Sequence, residues 1–170
     1  GLKIVRFDTG ERPNVVPGVA TAVVGTRVVG LDGLREKLAL VARAHPGFDL
    51  KAEPDGEGRA RITATGVSAH ASLPHLGVNA AGMLLVALRD IGAGGDGAAG
   101  LAIRGLAERI GLTHDGAGLG IAISDELSGA LTSNLGILRY DGRSLSAELD
   151  NRYPLSAKEE EMLCAASAAM

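Results

Sequence analysis

The order of apolar and polar positions divides the chain into short strands and helices. Lys3 to Asp8 and Ala20 to Val29 read as strands, and the loop between them, Arg12-Pro13-Asn14-Val15-Val16-Pro17, is stiffened by two prolines. Asp32 stands where a helix cap belongs. Leu34, Leu38, Val41 and Ala42 then recur at helical spacing until Pro46-Gly47 ends the run. Phe48 to Glu53 and Arg59 to Gly66 predict a hairpin across Pro54-Asp55-Gly56-Glu57-Gly58. After Val67-Ser68-Ala69-His70-Ala71-Ser72-Leu73-Pro74 comes a strongly apolar helix from about Val78 to Ile91, so the first half reads β-β-α-β-β-α.

Gly92 to Gly97 is almost all glycine and alanine and reads as a hinge or linker between two lobes. A helix follows from about Ala98 to Ile110, with Gly111 as its C-terminal cap. Leu119 to Ser124 reads as a strand, and Asn134 to Tyr140 and Ser144 to Asp150 flank Asp141-Gly142, the dipeptide of a two-residue type I′ hairpin. Ser156-Ala157-Lys158-Glu159 spells a capping box for a last helix carrying Met162, Leu163, Ala166 and Met170. The chain stops inside that helix, which reads either as a piece cut from something longer or as a fraying terminal helix. The expected architecture is α+β, with one lobe over about 1–92 and a second over about 98–170.

Composition narrows the function classes. With 170 residues, 46% hydrophobic and 22% charged, the chain can bury a core and is far from the signature of disorder. A net charge of −3 and an aromatic content of 2% leave no basic patch for phosphates and no stacking platform for bases, so nucleic acid is not an expected partner. Cys164 is alone and can form no internal disulfide, and no apolar run reaches the length of a membrane span; both fit a cytoplasmic setting.

Among candidate sites, Gly92-Ala93-Gly94-Gly95-Asp96-Gly97 matches the glycine spelling of a dinucleotide turn but follows a helix instead of a strand, and Asp96 would repel a phosphate. Glu159-Glu160-Glu161 diverge around a helix axis and read as a solvated first turn. His45, His75 and His114 read as surface residues. His70 differs, because Ser68, Ala69, Ala71 and Ser72 leave its imidazole open to a ligand; tight packing of the turn would use the same small residues. Ser68 or Ser72 with His70 as base lacks a nucleophile elbow. No His-x-Asp, His-Glu-x-x-His or cysteine cluster exists to hold zinc. Arg152, in Asp150-Asn151-Arg152-Tyr153-Pro154, could grip a carboxylate or simply pair with Asp150, and Asn14 between its prolines could bind a ligand or serve turn chemistry.

Taken in order, Arg12-Pro13-Asn14-Val15-Val16-Pro17, Ala69-His70-Ala71-Ser72-Leu73-Pro74-His75-Leu76-Gly77-Val78-Asn79-Ala80-Ala81, the hairpin around Asp141-Gly142, and Asn151-Arg152-Tyr153-Pro154 resemble the lid domain of M20 family metallopeptidases, especially PepV-like, Xaa-His or carnosinase-like dipeptidases. The resemblance covers nearly the whole chain. It implies ferredoxin-like lobes with helices on one face of antiparallel sheets, and a zinc-binding catalytic domain as the lid's partner. By the same resemblance His70 would stabilise the oxyanion of a tetrahedral intermediate, Arg152 would bind the C-terminal carboxylate of a dipeptide, and Asn14 would hydrogen-bond substrate or intermediate. The family's zinc ligands lie before and after its lid and are missing here, so two zinc ions are expected in a separate catalytic domain and the chain alone is expected to be inactive. The rival expectation is a free-standing dimerisation or small-molecule-binding α+β domain.

Overall fold

A computed structural model describes residues 1–170. Strands β1 (Lys3–Thr9), β2 (Val19–Gly25), β3 (Asp49–Pro54), β4 (Arg59–Thr65), β7 (Thr132–Tyr140) and β8 (Leu145–Arg152) form one six-stranded antiparallel sheet in the order β3-β4-β2-β1-β7-β8. Two very short strands, β5 (Ser124–Asp125) and β6 (Gly129–Ala130), make a separate hairpin. Helices α1 (Gly30–Ala44), α2 (Ala80–Asp90), α3 (Ala98–Arg109) and α4 (Glu159–Ala169) complete an α+β fold. The halves before and after Gly92 to Gly97 meet through β1 and β7, where Phe7, Asp8 and Thr9 oppose Tyr140, Arg139 and Leu138.

Alternation places the sheet's small apolar residues on one face. Ala20, Ala22 and Val24 of β2 and Ala60, Ile62 and Ala64 of β4 are buried, while Arg59, Arg61 and Thr65 of β4 point away to solvent. The alanines let α2 lie close against the sheet, and α3 packs on α2 in turn, so every residue of α2 from Ala80 to Leu88 is buried. That double covering is why this helix is apolar all round instead of amphipathic.

Several local expectations are corrected. The second strand ends at Gly25, because Gly30 at φ +72° already starts α1, and Asp32 lies inside the first turn, paired with Arg35, rather than capping it. Leu119 to Ser124 is not a strand; a 3₁₀ turn over Ala117–Leu119 precedes only the two residues of β5. The hairpin at Asp141-Gly142 is present, yet its turn is not type I′. That type needs positive φ at both central residues, and Gly142 at +96° is followed by Arg143 at negative φ. Asp141 sits before the turn, and its carboxylate accepts from the N–H groups of Arg143 and Ser144, both at 2.8 Å. Those bonds hold its carboxyl below the ordinary range. Ser156 does not cap α4, which starts at Glu159; its N–H donates instead to Asp125 across 3.1 Å. The glycine-rich segment is a close-packed turn, in which Ala93 is buried and the Gly94 N–H donates to the Leu2 carbonyl at 2.7 Å. No helix is long and apolar enough to cross a membrane.

Candidate functional site

Two loops build the site. The first connects β1 to β2. Pro13 and Asn14 form a turn closed by the Val15 N–H on the Arg12 carbonyl at 3.3 Å, the turn chemistry that stood as one reading of Asn14, and Val15 follows as a bridge residue ahead of Pro17. The second connects β4 to α2. It is closed by Val67 and Val78, which exchange hydrogen bonds of 2.9 and 2.8 Å, and it contains a 3₁₀ turn over Pro74–Leu76. The loops pair with one another. Val15 and His70 form an isolated antiparallel bridge, the Val16 N–H donates to the Ala69 carbonyl at 2.8 Å, and the Ala71 N–H donates to the Asn14 carbonyl at 3.0 Å. The two segments that the sequence singled out, 55 residues apart around Val15 and His70, are therefore held as neighbours.

His70 is exposed, and its ring is oriented from one side. Ser72 Oγ lies 2.7 Å from Nδ1, and the Ser72 backbone N–H donates to the same nitrogen at 3.2 Å. A backbone N–H can only donate, so Nδ1 is an acceptor and the proton of the neutral ring sits on Nε2. Nε2, which makes no hydrogen bond within the molecule, is then the donor of this exposed ring. Ser72 does touch the histidine, a contact the sequence left open. Its hydroxyl meets Nδ1, the nitrogen already engaged by the main chain, and no carboxylate pairs with His70, so the arrangement is not a triad.

Asn14 is exposed on the paired loop. Arg152 ends β8 opposite Thr132, whose hydroxyl donates to the Ala71 carbonyl at 3.3 Å, so its backbone belongs to the same edge of the molecule. Its guanidinium is paired with Asp150 at 3.1 and 3.4 Å, the ion pair that stood as the alternative reading of this residue. The geometry shows a forked carboxylate contact already formed at that position.

Two residues that the sequence reading did not single out hold the edge together. Asn79 caps α2, accepting from the Ala81 and Gly82 N–H groups at 2.9 and 3.2 Å, while its Nδ2 donates to the Leu135 carbonyl and to Asn134 Oδ1. Asn134, near the start of β7 and 2% exposed, donates through Nδ2 to the carbonyls of Pro13 at 2.8 Å and Val15 at 3.0 Å. The signal for Asn79 was present as a favoured capping residue directly ahead of an apolar helix. For Asn134 the only hint was a polar residue in a strand otherwise rich in apolar positions.

The remaining histidines sit elsewhere or play other parts. His45 stacks on Phe48 with ring centroids 4.8 Å apart and meets Asp90 at 2.8 Å, tying the end of α1 to the end of α2. Burial pushes the Asp90 carboxyl up, but hydrogen bonds from Arg89 and His45 outweigh that effect and hold it below its ordinary range. His75 and His114 face each other with centroids 6.4 Å apart. No group of three or more His, Cys, Asp or Glu side chains is placed to hold a metal ion. On the polar side of the paired loops runs an open groove of about 670 Å³ whose charged lining includes Asp8, Glu11, Arg12 and Arg139.

Fold and site define an α+β domain in which two paired loops carry an exposed histidine and an exposed asparagine, while an arginine paired with Asp150 ends the neighbouring strand β8. No family model matches the chain. It is 29% identical over 165 residues to a protein of Bacillus subtilis (strain 168) named "Putative dipeptidase YtjP"; the similarity takes in 92% of this chain and 33% of that protein. The chain thus spans about a third of the length of the curated relative it matches.

Proposed function

We propose that this chain is the lid of a zinc-dependent dipeptidase of the M20 metallopeptidase type, in a cytoplasmic enzyme whose catalytic domain lies outside it. The observation that carries the reading is the bridge between Val15 and His70, which sets the Asn14 backbone beside that of an exposed histidine whose Nδ1 is engaged by Ser72 and whose Nε2–H is therefore the group left to donate. Similarity to a protein named as a dipeptidase over nearly the whole chain supports it. The residues present do not fit zinc, since no suitable cluster exists, so the metal belongs to the partner domain and the lid's contribution is made by hydrogen bonds and charge.

When a peptide carbonyl is attacked, negative charge develops on its oxygen, and a donor fixed where that charge appears lowers the barrier. His70 Nε2–H and the Asn14 side-chain amide are the donors this edge offers. Arg152 would take the substrate's C-terminal carboxylate in the forked geometry it now makes with Asp150, exchanging one carboxylate for another. Closure of the lid over the substrate would exclude water and complete the donor set.

In the full-length enzyme, His70→Ala is expected to lower kcat by about 10²- to 10³-fold, the cost of one oxyanion donor, with metal content unchanged. Unaltered turnover would overturn the role. Coding sequence on both sides of this segment should carry zinc-ligand motifs; stop codons there would instead favour a free-standing binding or dimerisation module.

A further inference from the structure

We propose that Asn134 is a positioning residue of this site, setting Asn14 and His70 in register through the backbone of the loop between β1 and β2. The inference rests on the lid reading for its catalytic consequence but not for its geometry. The turn closed by the Val15 N–H on the Arg12 carbonyl, followed by the bridge at Val15, directs the carbonyls of this segment to different partners. Those of Pro13 and Val15 face β7, where both N–H bonds of the Asn134 amide are spent on them at 2.8 and 3.0 Å. The carbonyl between them, that of Asn14, faces the other way and takes the Ala71 N–H at 3.0 Å. Asn14 is thereby held on both sides, by β7 and by the loop that carries His70.

The amide is itself held. Its Oδ1 accepts from Asn79 Nδ2 at 3.2 Å, and Asn79 is anchored as the cap of α2. Helix, strand and both loops are thus linked through the half-buried Asn79 and the buried Asn134. An apolar residue at 134 would leave the Pro13 and Val15 carbonyls without these donors, a cost that a merely space-filling role does not explain. Close approach at the same place points the same way. A Cβ at Gly136 would come within 2.3 Å of the Pro13 carbonyl oxygen, so the strand is shaped to let this loop lie against it.

The test uses the full-length enzyme and a mutant cycle. Asn134→Ala should lower kcat by about tenfold to a hundredfold, the scale of an ångström-level misplacement of catalytic groups. KM for a dipeptide and metal content should stay within about twofold, because Arg152 is not touched. In a background carrying His70→Ala and Asn14→Ala, the further change Asn134→Ala should cost less than about twofold, since the groups it positions are gone. An undiminished loss in that background would show a general structural effect and overturn the proposal, as would an unchanged kcat in the single variant. If His70→Ala alone leaves turnover intact, the lid reading fails, and amide exchange in this chain then decides the clamp. Asn134→Ala should speed exchange at Val16 and Ala71 while the ladder between β2 and β4 keeps its protection; unchanged exchange at both amides would overturn it. Should the alanine variant not fold, Asn134→Thr, whose single hydroxyl can reach only one of the two carbonyls, should give a smaller shift of the same kind, and none would count against the proposal.

Discussion

At the scale of single residues, the site depends on short polar side chains that bond to backbone. Ser72 orients His70 by two bonds to one ring nitrogen, and Asn79 and Asn134 spend their amides on main-chain groups from three different segments. His70 and Asn14 stood out in the sequence as candidates because their neighbours are unusual: small residues around one, prolines around the other. Asn134 was not, since a strand pattern shows which face a residue takes and not which loop will cross it. Asn79→Ala removes a helix cap and the bonds to Leu135 and Asn134 together. The expected loss of stability is about 1–3 kcal/mol, to be read from urea unfolding midpoints, and a loss within a few tenths would show that the cap alone is dispensable.

Among the elements, the contrast lies between α2, buried on all sides, and α4, which has no fully buried residue, lies beside the 3₁₀ turn at Ala117–Leu119 and packs only Met162, Ala165 and Ala166 partly against the core. What ties the α4 region down is Asp125. Its carboxylate accepts from the Leu127 and Ser128 N–H groups and the Ser128 hydroxyl within the small hairpin, and from the Ser156 N–H just ahead of the helix. The backbone and hydroxyl bonds from Ser128, with Ser156 adding to them, hold this carboxyl well below its ordinary value of 3.8. A carboxyl whose folded-state pKa is depressed contributes stability above its unfolded pKa and loses it as pH falls through the folded one. The link from Asp125 to Ser156 is therefore expected to persist at pH 3.8 and to release only in stronger acid. The Ser156 and Ser128 amide resonances report this directly, and a midpoint at the ordinary carboxylate value would contradict it.

For the whole molecule, the question is whether the two expected lobes behave as one body. One apolar cluster of 31 buried residues runs from Leu2 and Ile4 through α2 to Leu131, Leu135 and Leu138, and the sheet crosses from one half to the other through β1 and β7. A core shared in this way predicts a single cooperative unfolding transition, coincident by far-ultraviolet circular dichroism and by tyrosine fluorescence. Two separated transitions would show that the halves fold independently.

What the amino-acid order determined by itself is local. The alternation of β1, β2 and β4, the apolar run of α2, the Gly111 end of α3 and the existence of the β7–β8 hairpin all follow from period and turn chemistry acting over a few residues. Boundaries slipped where a competing partner lay far away in sequence, as at Ser156, whose N–H was claimed by Asp125. Only the tertiary structure decided that Asn14 lies beside His70, and that a single buried amide 119 to 121 residues further on grips the loop around it. The physical reason is that hydrogen bonds to backbone carbonyls carry no side-chain signature in the segment that receives them. A donor such as Asn134 therefore reveals its purpose only when the chain has brought it to its acceptors.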